Sequence, residues 1–256
     1  MNVHVPSLDL KFDLPGIPYM EPCFANTQYR NTLPSTSDYH KDRWHKGLIG
    51  VFYEATPEDY RTIIATEGGG ASYQDVMVPC YGIPPGTTSV GSQPSGVPFT
   101  AHTLLAPSDN KGKGRSISRP DPSYAQASAR YLKLITDGAE EHELPAEYMA
   151  FLYNLRPYTI TTYRQKIGQA LFMTTWLPLV MLLFGLAKTT SDKEGKIPKW
   201  LVLIHGVVFR LLWASYDNVY KKTFGDGERT MSERDEEEAV VATGWLEKSV
   251  RLDDTF

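Results

Sequence analysis

Cysteine is nearly absent. Cys23 and Cys80 lie far apart in the chain and outside any CxxC spacing, so neither a disulfide framework nor a thiolate zinc site can be read, and a reducing compartment is expected. Histidine offers no metal site either. The six residues at positions 4, 40, 45, 102, 142 and 205 show no HxH or HExxH spacing, and each reads as a surface or packing histidine. No GxSxG elbow frames a serine nucleophile, since Ser72 and Ser92 lack that context. The glycine run Gly68 to Gly70 is not followed by Gly-Lys-Ser/Thr, which excludes a P-loop. A basic field is missing as well: the net charge is −4, so no nucleic acid is expected as a partner, and a small molecule or lipid fits better. The first nineteen residues hold no continuous apolar run of the secretory kind, and a catalytic domain facing the cytosol is the expectation.

What is present begins with a β pattern. Val3, Val5, Leu8, Leu10, Phe12 and Leu14 alternate at near period two and predict one or two strands. The run from Lys46 to Tyr53 predicts a buried strand. Pro57, with Glu58 and Asp59 in the first turn, starts a helix that the glycines after Glu67 end, and a strand resumes through SYQDVMVPCYGI. Residues 84 to 98 are rich in Pro, Gly and Ser and predict a loop, followed by a strand through PFTAHTLLA. Helical spacing then runs from Ala129 to Leu155, broken by Gly138 and by Leu144-Pro145. The fold class is α+β, a β-rich core with flanking helices.

From Ile167 to Ala187 there are 21 residues without a charge, a helix of roughly 31 Å against a hydrocarbon core of about 30 Å. Such a helix is either buried in a larger fold or membranous, and the membrane is the stronger reading. A second apolar run, Trp200 to Tyr216, contains His205 and Arg210, so spanning is less secure there. From Asp226 onward, ten acidic residues outnumber four basic ones, which predicts a solvated tail.

Thr66-Glu67-Gly68-Gly69-Gly70 is the sharpest local feature. A helix C-cap explains it from spacing alone; a carboxylate beside glycines that admit a ligand is the functional alternative. Three segments decide between them. GLIGVFYEATPEDYRTIIATEGGGASY (47–73), TAHTLLAP (100–107) and SARYLKLITDGAEEHELPAEYMAFL (128–152) together resemble the γ-glutamylcyclotransferase family, most closely its fungal branch associated with gliotoxin-type secondary metabolism. The resemblance covers roughly the first 160 residues. It implies a small mixed-sheet or β-barrel domain at 1–160, leaving a hydrophobic helical pair at 161–222 and an acidic tail at 223–256. The Tyr-Gly-Ser-Asn loop with which the family opens does not occur, and the chain is expected to be truncated before Met1.

The resemblance also implies the chemistry, an intramolecular aminolysis that releases 5-oxoproline from a γ-glutamyl compound without metal or organic cofactor. Glu67 is implied as the catalytic base, with Gly68, Tyr73 and Tyr131 at the substrate. A membrane-associated binding protein that keeps the fold without catalysis is the alternative.

Overall fold

A computed structural model describes residues 1–30, 44–66, 73–105, 125–190 and 197–231. Six strands and six α-helices are found among them: β1 (Asn2–Val5), β2 (Leu8–Ile17), β3 (Glu21–Tyr29), β4 (Leu48–Val51), α1 (Pro57–Thr66), β5 (Gln74–Gly82), β6 (Phe99–Leu105), α2 (Ala129–Glu141), α3 (Ala146–Tyr153), α4 (Tyr163–Thr190), α5 (Lys199–Ser215) and α6 (Lys221–Phe224). A π-helical turn, Tyr216–Tyr220, joins α5 to α6.

The order β4-β1-β5-β6 makes one sheet, and β2 and β3 form a hairpin. Every pairing between these strands is antiparallel. Thr27 Oγ1 on β3 donates to the Leu104 carbonyl on β6 at 3.2 Å, and β2 lies against β4, so the hairpin bridges the two edges of the sheet and the α+β expectation takes the form of a rolled β layer. Alternation drives it. Along β5 the exposed Asp75, Met77 and Pro79 interleave with Val76, Val78 and Cys80, and the inward set meets Val3, Val5, Leu8 and Leu105 in one core. Val78 and Leu8 are almost wholly buried, each contributing about 1.5 to 3 kcal/mol relative to an exposed position.

His4 sits in that layer, 3% exposed, with its ring nitrogen against the Lys46 carbonyl. Burial lowers its pKa from the ordinary 6.5, outweighing the carbonyl, which raises it; Arg30 lowers it further.

α2 begins where the hydroxyl of Ser128 caps the Tyr131 amide at 3.0 Å. It runs through Gly138 without a break, because glycine costs only about 1 kcal/mol in a helix interior and the neighbouring Ala139, with Leu132, is buried. The joint lies instead at 142–145, where Glu143 takes φ 50 and Pro145 opens α3.

α4 is a single helix of 28 residues that contains Pro178. Its first three turns dock on the β2–β3 turn: Gln165, Gly168 and Phe172 are buried. A side chain at Gly168 would come within 2.5 Å of Phe224 Cβ, so the glycine permits a close approach. Phe172 shares a cluster with Tyr19, Leu212, Trp213 and Tyr216. Beyond Trp176 the helix packs on α5, where Leu183 meets Leu201 and Val208.

The start of the acidic stretch departs from expectation. Residues 225–231 form a strap across the domain in which Asp226 is 9% and Glu228 only 1% exposed, although Arg229 is exposed; the rest of the expected tail, from residue 232, lies outside the described residues. Lys221 Nζ lies 3.4 Å from Asp226 Oδ2 and 3.5 Å from Glu228 Oε2, and backbone amides complete the compensation. Buried carboxylates need such partners.

The lowered pKa of His4 fixes a sign. A depressed folded pKa contributes stability above pH 6.5 that is lost as pH falls through the folded value. Thermal melts should show the Tm gap between the unaltered chain and His4→Gln shrinking from pH 7.5 to 5; a gap independent of pH would contradict a buried, neutral His4.

Candidate active site

Of the four residues expected at the site, Tyr73 and Tyr131 are described, while Glu67 and Gly68 lie outside the described residues. Tyr131 stands one turn into α2, a position set by the Ser128 cap. Its hydroxyl accepts the Ala25 amide of β3 at 3.2 Å, and its ring meets Phe24 edge-on, centroids 5.2 Å apart. One helix and one strand therefore hold the side chain at both ends.

Tyr73 immediately precedes β5, whose first residues pair with the end of β6: Gln74 with Leu105 and Asp75 with Leu104. Leu104 is also where Thr27 of β3 bonds. Thr27 is two residues beyond Ala25, about 7 Å along the strand, so β3 links the Tyr131 contact to the strand pair that carries Tyr73. The remaining edge is α1, which ends at Thr66.

The structure adds a cluster here that sequence spacing did not indicate. Tyr60 of α1, Asp75 of β5 and His102 of β6 converge: the His102 ring nitrogen Nδ1 lies 3.0 Å from Asp75 Oδ1 and 3.3 Å from the Tyr60 hydroxyl. Burial and the Asp75 carboxylate push the Tyr60 phenol up to about 12. Burial works against ionising Asp75, yet the bonds from Tyr60 and His102 prevail and hold its carboxyl below the usual range. The available signal was register: Asp75 faces Leu104 and His102 faces Met77, which makes the two polar residues diagonal neighbours on one face.

Cys23 lies below the Tyr131 contact, 1% exposed and free. Burial, with Glu228, Asp13 and Glu21 nearby, pushes its thiol up to about 12, so it is inert packing rather than a nucleophile. Elsewhere, a cleft of about 90 Å³ is lined by His4, Tyr81 and residues of the 83–95 loop.

The chain is 32% identical over 231 residues to the γ-glutamyl cyclotransferase gliK of Aspergillus fumigatus, a match covering 88% of this chain and 79% of that protein. It belongs to the γ-glutamyl cyclotransferase family. The γ-glutamyl cyclotransferase aclK of Aspergillus oryzae is 27% identical over 235 residues, 89% of this chain and 80% of that one. Residues 162–222 match a family model described as the AclK C-terminal domain, a segment that contains α4, α5 and the turn after them. A solved γ-glutamyl cyclotransferase superposes over 63% of this chain and 76% of its own with a TM-score of 0.42 at 16% identity. An uncharacterized human protein gives a TM-score of 0.43 at 17% identity over the same shares.

Proposed function

We propose that this chain is a γ-glutamyl cyclotransferase that releases 5-oxoproline, acting on a glutathione adduct within fungal secondary metabolism. The observation that carries the reading is the family match along 88% of the chain, with Glu67-Gly68, Tyr73 and Tyr131 standing in the order the resemblance requires. In the reaction, the α-amine of the γ-glutamyl group attacks its own γ-carbonyl. One C–N bond forms and closes the five-membered ring; another breaks and frees the amine of the remaining compound. The attacking amine must lose a proton and the leaving nitrogen must gain one, so a single carboxylate can take and return it. Glu67 is that residue. Tyr131, held between α2 and β3, orients the γ-glutamyl group with Tyr73, and Gly68 allows it a close approach. Ring closure within one bound molecule gains the large advantage of proximity.

We further propose that α4 and α5 meet a membrane. The most apolar 18 residues of α4 have a mean hydropathy of 2.0 and only 17% of them are buried, unlike the core helix of a soluble fold. Leu182 and Phe184 on α4 and Trp200, Leu203 and Leu211 on α5 are more than half exposed. The fourteen residues of α4 after Trp176 reach about 21 Å, short of the roughly 30 Å hydrocarbon core, and Arg210 is exposed on α5. Both favour a hairpin lying in the interface over one that crosses. The domain would then face the cytosol, where free Cys23 and Cys80 stay reduced.

Two measurements test these readings. Glu67→Gln should abolish 5-oxoproline release from γ-glutamyl substrates, by about 10² to 10⁴-fold, in a protein that still melts cooperatively; undiminished turnover removes Glu67 from the mechanism. Liposome flotation should carry the full chain upward, and Leu182→Arg should weaken that by a clear margin, since Leu182 points outward while Leu183 packs on α5. A full chain that stays at the bottom of the gradient rejects the lipid partner.

A further inference from the structure

The strap at 225–231 touches both supports of Tyr131. On one side it grips the segment leading into α2: the Gln126 amide donates to the Glu228 carbonyl at 2.8 Å, and the Thr230 amide donates to Gln126 Oε1 at 2.7 Å. The Thr230 hydroxyl donates to the Pro157 carbonyl at 3.2 Å and accepts the Thr159 amide at 2.9 Å, while the Tyr158 amide closes the other edge on the Ala127 carbonyl at 2.8 Å. Residues 126 to 128 are thus clamped between two strands of backbone, immediately before the Ser128 cap. On the other side the strap holds the turn that begins β3: the Tyr19 amide donates to the Gly227 carbonyl and the Tyr19 hydroxyl to the Gly225 carbonyl, both at 2.7 Å. Ala25, which donates to Tyr131, lies six residues farther along that strand.

The strap's own shape depends on the helical extension. Asp226 Oδ1 accepts the Glu228 and Arg229 amides at 2.8 and 3.2 Å and the hydroxyl of Tyr216 at 3.1 Å. That same hydroxyl accepts the Gly227 amide at 2.8 Å. Tyr216 is fully buried where α5 ends.

We propose that residues 226–230 are a positioning element of the γ-glutamyl site, fixing the start of α2 and the start of β3 so that Tyr131 is presented in one orientation, and linking that orientation to the α4–α5 hairpin. The proposal rests on the reading of Tyr131 as a substrate contact. Gln126 and Thr230 touch no substrate in it; they act through Tyr131.

Steady-state release of 5-oxoproline from glutathione and from γ-glutamylalanine by the full chain tests it. Gln126→Met keeps the side chain's size and removes the acceptor, and should raise KM about fivefold with kcat within about twofold, the effect of one lost hydrogen bond on ground-state binding. Gln126→Glu restores an acceptor for the Thr230 amide and should return KM to near its original value. Thr230→Val should act in the same direction as Gln126→Met, and decides the matter if Gln126→Met fails to fold. Tyr131→Phe sets the reference. If Tyr131→Phe raises KM while folded Gln126→Met and Thr230→Val do not, the positioning role is overturned and the reading of Tyr131 stands. If Gln126→Glu raises KM as much as Gln126→Met does, the acceptor is irrelevant and the role is overturned too. A silent Tyr131→Phe, or no release by the unaltered chain, overturns the underlying reading and this role with it.

Discussion

The grip on Tyr19 holds the molecule together. Its residue lies at the tip of the β2–β3 hairpin with φ 64, a conformation that costs a non-glycine residue about 1 to 2 kcal/mol. What offsets the cost is burial on every side. The ring meets Phe172 and Tyr216 edge-on at 5.9 and 5.6 Å, and both its amide and its hydroxyl end on strap carbonyls. Gln169 donates to its carbonyl at 2.6 Å. Gly227 lies flat on the ring, where a side chain would come within 2.9 Å of three ring atoms, so glycine is required there by proximity. Truncating such a buried aromatic side chain ordinarily costs about 3 to 5 kcal/mol, a large fraction of a domain's stability.

Through that one residue the N-terminal hairpin, the apolar helices and the strap become a single unit. The helical extension is therefore part of the domain's core, with Tyr19 supplied by the β layer to the cluster that α4 and α5 build. Its distal half is different: beyond Trp176, Leu183 packs against Leu201 and Val208 of α5, while Leu182, Phe184 and Leu203 stay more than half exposed, as the charged Lys188 and Arg210 are exposed too.

Much of this was legible in the sequence and some was not, for identifiable reasons. Strands show because inward and outward positions alternate, and β1, β2, β5 and β6 are found in the segments that Val3 to Leu14, Ser72 to Ile83 and Pro98 to Ala106 mark. Helices show through Pro57 and through the helical spacing that begins at Ala129. The strap did not, because acidic composition predicts solvation, and only the fold brings Lys221, Tyr216 and backbone amides to Asp226 and Glu228. Gly138 misled for the converse reason: a propensity of about 1 kcal/mol is easily outweighed by a helix that packs Leu132 and Ala139 on the core. At the site, Tyr73 and Tyr131 came from family resemblance alone, since an edge-of-core tyrosine looks the same in any sequence. The Tyr60-Asp75-His102 cluster needed the β5–β6 register, which pairs residues 27 positions apart.

Native-state hydrogen exchange on the full chain tests the central claim, that strap, hairpin and helices are one cooperative unit. The amides of Tyr19, Gly227 and Glu228 should be protected to a common opening free energy close to that of the β5–β6 ladder. Strap amides that exchange at the rates of an unstructured peptide, while the ladder stays protected, would show that 225–231 is a loosely attached tail and would contradict the account.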